Sequence, residues 1–134
     1  MRTVLLLAVG ITWLILTAQR VILWTDDGRL WADAVQQAPL KPRPWLHLGA
    51  SVALQGDTAR ATRLFHFARG LARSPERSRD EQVIGQAAAE VNLALLAARD
   101  GRLQDARNWI THAQARLPGD AALEARAAWI HSLE

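Results

Sequence analysis

The stretch WLHLGASVALQGDTARATRLFHFARGLARSP, Trp45 to Pro75, decides the reading of the fold. It holds two runs with apolar and small residues at helical spacing, separated by Gln55, Gly56 and Asp57. Gly56 suits the left-handed backbone of a tight helix–helix turn, which residues with side chains adopt poorly. Asp57 stands where a carboxylate caps the run beginning at Thr58. Gly49 on the first run and Ala61 on the second are small enough to face one another across a close antiparallel helix contact. The stretch is therefore expected to be a helical hairpin.

The hairpin recurs. A shift of 45 positions lays Leu48 on Leu93, Gly49 on Ala94, Gly56 on Gly101, Ala61 on Ala106, Phe65 on Ile110 and Ala68 on Ala113. Small residues fall on small ones and apolar on apolar. Phe65 and Ile110 are the bulky positions expected to fill the space between one hairpin and the next, and Pro118 ends the second unit. This order of Trp45, Leu48, Gly49, Gly56, Ala61, Phe65 and Ala68, repeated as Leu93, Ala94, Gly101, Ala106, Ile110, Ala113 and Pro118, resembles the tetratricopeptide repeat (TPR) family over residues 27–133. Units of that family are about 34 residues long. The extra residues here lie between Ala68 and Leu93. There Ser74 precedes Pro75, and Ser78 with Glu81 forms a capping-box pattern. A connector near Ser74–Ser78 and a long helix over Arg79–Arg99 follow. A HEAT-like pair also has such a period; the Gly–Ala–aromatic–Ala–Pro order favours the TPR reading.

Partial units stand at both ends. Trp31, Ala34 and Pro39 have the spacing of the second half of a repeat. At the other end Asp120 is an N-cap for a lone helix whose Leu123, Ala127 and Ile130 would cover the last repeat. Behind an N-terminal helix, the expected helices are Asp26–Gln37, Pro44–Gln55, Thr58–Arg73, Arg79–Arg99, Arg102–Arg116 and Ala121–Leu133, with the proline-rich Ala38–Pro44 as a link. Asp26 and Asp27 read as helix starters favoured by the dipole.

The N-terminus reads as a membrane segment. Thr3 to Ala18 carries no charge, and after Gln19 and Arg20 the apolar character resumes over Val21–Trp24. Together this is about the 20 residues a spanning helix needs. Arg20 would snorkel to the headgroups, and Trp24 and Trp31 fall at interfacial positions. A cleaved signal peptide, lacking the A-x-A pattern, and a buried helix are the alternatives. The expected fold class is all-α: an N-terminal transmembrane helix (1–24), a juxtamembrane half-repeat and proline-rich link (25–43), and a short TPR-like α-solenoid with a capping C-terminal helix (44–134). Arg2 and the amino terminus pull orientation one way; Arg20, Arg29, Lys41 and Arg43 pull the other. Residues 23–49, with Trp31, Pro39, Trp45 and Leu48, also resemble the junction of mannosyltransferase-like membrane glycosyltransferases, where a last membrane helix runs into TPR units. That resemblance implies a periplasmic domain on a bacterial inner membrane; it covers none of the transferase's catalytic part.

No reaction is legible. Cysteine is absent, which removes disulfides and Cys-based zinc sites. His47, His66, His112 and His131 form no HExxH, no HxH and no one-turn pair, and read as surface or boundary residues. P-loop, nucleophile-elbow and dinucleotide patterns are missing. A net charge of +3 is too small and scattered for nucleic acid, and the mixed run Ala72–Glu81 reads as a solvated connector, with contact to an acidic partner or anionic lipid as the alternative. The chain is therefore expected to be no enzyme, with no cofactor, no metal and no small-molecule substrate.

TPR proteins commonly bind a peptide or helix in the groove lined by the first helix of each pair. The resemblance carries that surface onto Arg43, Leu46, Ala50, Ala53 and Leu54; onto Ala88, Val91, Leu95, Ala98 and Arg99; and onto Ala122, Ala125 and Trp129. Members that clamp a carboxylate terminus use Lys and Asn there; here Asn92 alone compares, and the Lys positions are apolar, so a carboxylate clamp is rejected. The strip either takes a partner's helix or is filled by this protein's own helices. The expected function is a scaffold or assembly subunit that binds a partner protein in a bacterial membrane complex. The alternatives are an adaptor capturing transiting polypeptides in secretion, pilus or cytochrome maturation, and an accessory to membrane glycan synthesis.

Overall fold

The computed structural model describes Trp13 and residues 27–133. Its helices are α1 (Asp27–Gln37), α2 (Pro42–Leu54), α3 (Thr58–Ala72), α4 (Arg79–Arg99), α5 (Leu103–Arg116) and α6 (Ala121–His131), with no strand among the described residues. Each helix packs on the next in chain order, and α4 also touches α2 and α6, so the hairpins α2–α3 and α4–α5 stack side by side.

Local chemistry starts the helices where the sequence places the caps. Asp57 Oδ1 accepts from the Arg60 amide at 3.0 Å. Ser78 Oγ accepts from the Glu81 amide, and Glu81 Oε2 accepts from the Ser78 amide, both at 3.2 Å. Asp120 Oδ1 accepts from the Leu123 amide at 2.8 Å. These bonds satisfy first-turn donors that have no intrahelical partner. Gly56 and Gly101, at φ 90° and 74°, make the two equivalent turns. The helix α2 begins two residues earlier than expected, at Pro42 instead of Pro44. Prolines in a first turn remove no intrahelical hydrogen bond, so the second half of the proline-rich link starts the helix that it was expected only to precede.

Burial follows the repeat. Phe65 sits with Leu48, Val52 and Ala61 of its own hairpin and with Leu93 and Leu96 of the next. Ile110 sits with Ala94, Ala97, Ala106 and Ala113, and with Leu123, Ala127 and Ile130 of α6. Both bulky positions thus join successive units, and α6 covers the last one. Gly49 meets a different neighbour from the one expected. A Cβ built there would lie 2.6 Å from Phe65 Cε1, so the glycine makes room for the aromatic ring as well as for the helix contact. Gly85 does the same at the top of α4, where a Cβ would lie 2.9 Å from that of Ala72.

The expected fold class is corrected in one respect. The described chain is all-helical and repeat-like, but no helix among the described residues is long and apolar enough to cross a membrane. The longest, α4, has 21 residues and the necessary length, yet it carries Arg79, Asp80, Glu81, Glu90 and Arg99 and buries an alanine face against its neighbours. The transmembrane helix expected over residues 1–24 lies, apart from Trp13, outside the described residues.

Candidate functional site

The helices α2 and α4 run side by side in the same direction. Their N-terminal halves share one hollow, and their C-terminal halves share another. The first, about 470 Å³, is lined by Pro42, Arg43, Leu46, His47 and Ala50 of α2 and by Ile84, Gly85, Ala88 and Asn92 of α4. The second, about 240 Å³, is lined by Ala50, Ala53, Leu54, Asn92, Leu95, Leu96 and Arg99, with Phe65 at its floor. A third, about 330 Å³, opens on the other side of α4 between Ile84, Ala88, Val91 and Leu95 and the residues Leu117, Asp120, Leu123 and Arg126. Asn92 lines all three, so they form one concave strip. Its apolar residues Leu46, Ala50, Ala53, Ala88, Val91 and Leu95 are half-buried.

The polar groups of this strip are few. Asn92 Nδ2 donates to the Ala88 carbonyl at 2.8 Å, which orients the amide along α4. Arg99 Nη1 donates to the Ala53 carbonyl at 2.8 Å, tying the end of α4 to the end of α2, and Nη2 reaches Thr58 Oγ1 at 3.5 Å. Its direct partners are neutral, and Thr58 Oγ1 in turn donates to Asp100 Oδ1 at 3.4 Å. Asp120 is occupied as a helix cap. His47 stacks on Trp31, with ring centroids 4.0 Å apart and planes 11° apart. Burial, and then the nearby Arg43 charge, lower the His47 pKa from its ordinary value; Asp27 opposes this.

The strip contains Arg43, Leu46, Ala50, Ala53, Leu54, Ala88, Val91, Asn92, Leu95 and Arg99, all placed there by the resemblance. Ala98 instead packs against the core. Trp129, Ala122 and Ala125 line none of the three hollows. They lie exposed on α6, which turns Leu123 and Arg126 toward the strip instead. Trp31 packs beside the core cluster of the first hairpin and stacks against His47. Arg20 and Trp24 lie outside the described residues.

Sequence reasoning missed Ile84 and Arg126. Ile84, 58 % exposed, is one helical turn before Ala88 and extends its stripe, a signal readable from i, i+4 spacing. Arg126 is set by how α6 crosses its neighbours. Also missed was the fully buried Glu90. Arg69 Nε donates to Glu90 Oε1 at 2.8 Å, while Arg116 donates from Nε to Oε2 at 2.7 Å and from Nη2 to Oε1 at 3.0 Å. With both oxygens held by arginines, this carboxylate joins α3, α4 and α5 and is not placed to act as a base. Arg69 also lies over the Trp109 ring, 5.1 Å from its centroid. Among the described residues, no group of three or more acidic or histidine side chains could hold a metal ion.

No family model matches the chain, and neither a curated protein nor a solved structure matches it.

Proposed function

We propose that this protein is a non-catalytic, TPR-like scaffold that takes a helix of a partner protein along the strip between α2 and α4. The observation that carries this reading is the strip itself. Ala50, Ala88, Asn92 and Leu95 belong to more than one of its hollows, so the apolar lining continues along much of α4. An apolar strip rimmed by polar groups suits an amphipathic helix laid along it. The recurrence of the Gly–Ala–aromatic–Ala order supports the TPR-like part of the proposal.

Replacing Ala88 with Trp fills two of the three hollows at once. Purified gently from its native host, the unaltered protein is expected to bring down a stoichiometric partner that Ala88→Trp loses. Arg63→Trp, an exposed position on α3 away from the strip, should retain it. A partner retained equally by both variants would place the binding surface elsewhere.

A further inference from the structure

We infer that the strip is selective for an acidic amphipathic helix, with carboxylates flanking an apolar stripe of about four turns. This rests on the strip being the partner site and adds the chemistry of the partner.

Three guanidinium groups border the strip: Arg43 by the start of α2, Arg99 at the end of α4, and Arg126 on the α6 side. None is within ion-pair distance of a carboxylate in the described residues. Arg99 rests on a backbone carbonyl and a hydroxyl, and Arg43 and Arg126 are exposed. Asp120, the one carboxylate lining the strip, caps α6 through the Leu123 amide. Three other arginines of the fold are ion-paired. Arg69 and Arg116 share Glu90, and Arg102 faces Asp100 and Asp105. Three arginines without an ion pair therefore border an apolar strip.

Spacing sets the length of the ligand. From Ile84 to Arg99 the lining of α4 spans sixteen residues, about 22 Å at the α-helical rise. A helix of about four turns covers this distance and brings its two ends to Arg43 and Arg99. Its apolar side would rest on Leu46, Ala50, Ala88 and Leu95, and Asn92 Oδ1, which accepts no hydrogen bond among the described residues, can receive a donor near the centre. Carboxylates at both flanks complement the arginines; lysines would meet like charge.

The test uses the full 134-residue chain in mild detergent and synthetic helical peptides of about 18 residues. The peptides share one Leu/Ala stripe and differ only in carrying Glu, Gln or Lys at the other positions. Fluorescence anisotropy reads the affinities at low and high salt. Exposed ion pairs contribute modestly one by one, so the Glu peptide is expected to bind about tenfold more tightly than the Gln peptide. The Lys peptide should bind most weakly, and the Glu advantage should shrink as salt rises. Arg43→Glu with Arg126→Glu should reverse the order of the Glu and Lys peptides, with circular dichroism confirming that the variant is folded. Equal binding of the Glu and Gln peptides, abolished by Ala88→Trp, would overturn the charge selectivity and leave the strip as the partner site. No binding by any peptide, or binding insensitive to Ala88→Trp, would overturn both.

Discussion

Glu90 and Arg116 form a two-point ion pair across the α4–α5 contact, Nε to Oε2 at 2.7 Å and Nη2 to Oε1 at 3.0 Å, with the carboxylate fully buried. Arg69 closes the pair from α3 at 2.8 Å. One carboxylate thus holds two hairpins together. Its removal leaves two arginine charges close to one another with no counterion, although both keep some access to water. Glu90→Gln is expected to destabilise the protein by about 2–3 kcal/mol, a fall in Tm of roughly 6–10 °C. Arg116→Ala should cost less, because Arg69 remains paired. Thermal melts followed by circular dichroism measure both, and an unchanged Tm for Glu90→Gln would remove this triad from the account of stability.

Gly49 and Phe65 should prove energetically coupled. The methyl group of Gly49→Ala would intrude to 2.6 Å from the Phe65 ring, which is itself buried. Overpacking of this kind costs about 1–3 kcal/mol. Trimming the ring in Phe65→Leu relieves the clash, so denaturant unfolding of the double variant is expected to show a loss smaller than the sum of the single losses. Strict additivity would mean that the two residues do not press on each other.

Ala106 is fully buried beside Ile110 in the second core cluster. Ala106→Trp has no space to occupy and should destabilise by about 3 kcal/mol or more. Ala115, exposed on the same helix, is the control: Ala115→Trp should leave stability within about 0.5 kcal/mol. Similar melts for the two variants would contradict the placement of Ala106 at a tight helix contact.

Acid should weaken the fold through two histidines. Burial, then a neighbouring arginine, lowers the pKa of His47 and of His66 below the ordinary histidine value. A lowered folded-state pKa means that the unfolded chain takes up protons first as pH falls. The stability these groups contribute is therefore present above the unfolded pKa and lost as pH drops from there through the folded pKa. Between about pH 7.5 and pH 5.5 the Tm of the native sequence is expected to fall more than that of a His47→Gln, His66→Gln double variant, since the window opens near the ordinary His pKa. Parallel pH profiles would show that neither histidine contributes.

Much of the candidate site was legible before any coordinates because it lies on repeated helices. Arg43, Leu46, Ala50, Ala53, Val91, Asn92, Leu95 and Arg99 are positions onto which the TPR resemblance carries a groove, and all eight line the hollows along α2 and α4. Trp129 fell off the site because α6 has no second copy against which to set its rotation. Its buried residues Leu123, Ala127 and Ile130 were readable, but the side it presents to the strip depends on how it crosses its neighbours. The N-terminal apolar run raised an expectation from its length, its lack of charge and its flanking residues; apart from Trp13 it lies outside the described residues, and no helix among these is long and apolar enough to cross a membrane.

By itself the sequence determined where α3, α4 and α6 begin and where the two hairpins turn. Asp57, Ser78 with Glu81, Asp120, Gly56 and Gly101 act within a few residues of themselves, through caps and backbone angles that need no distant partner. Only the tertiary structure decided that Glu90 would be shared by Arg69 and Arg116, residues 21 and 26 positions away, and that Gly49 would make room for Phe65. Those contacts depend on the angle and register at which helices cross, and these are set by the packing of many side chains at once.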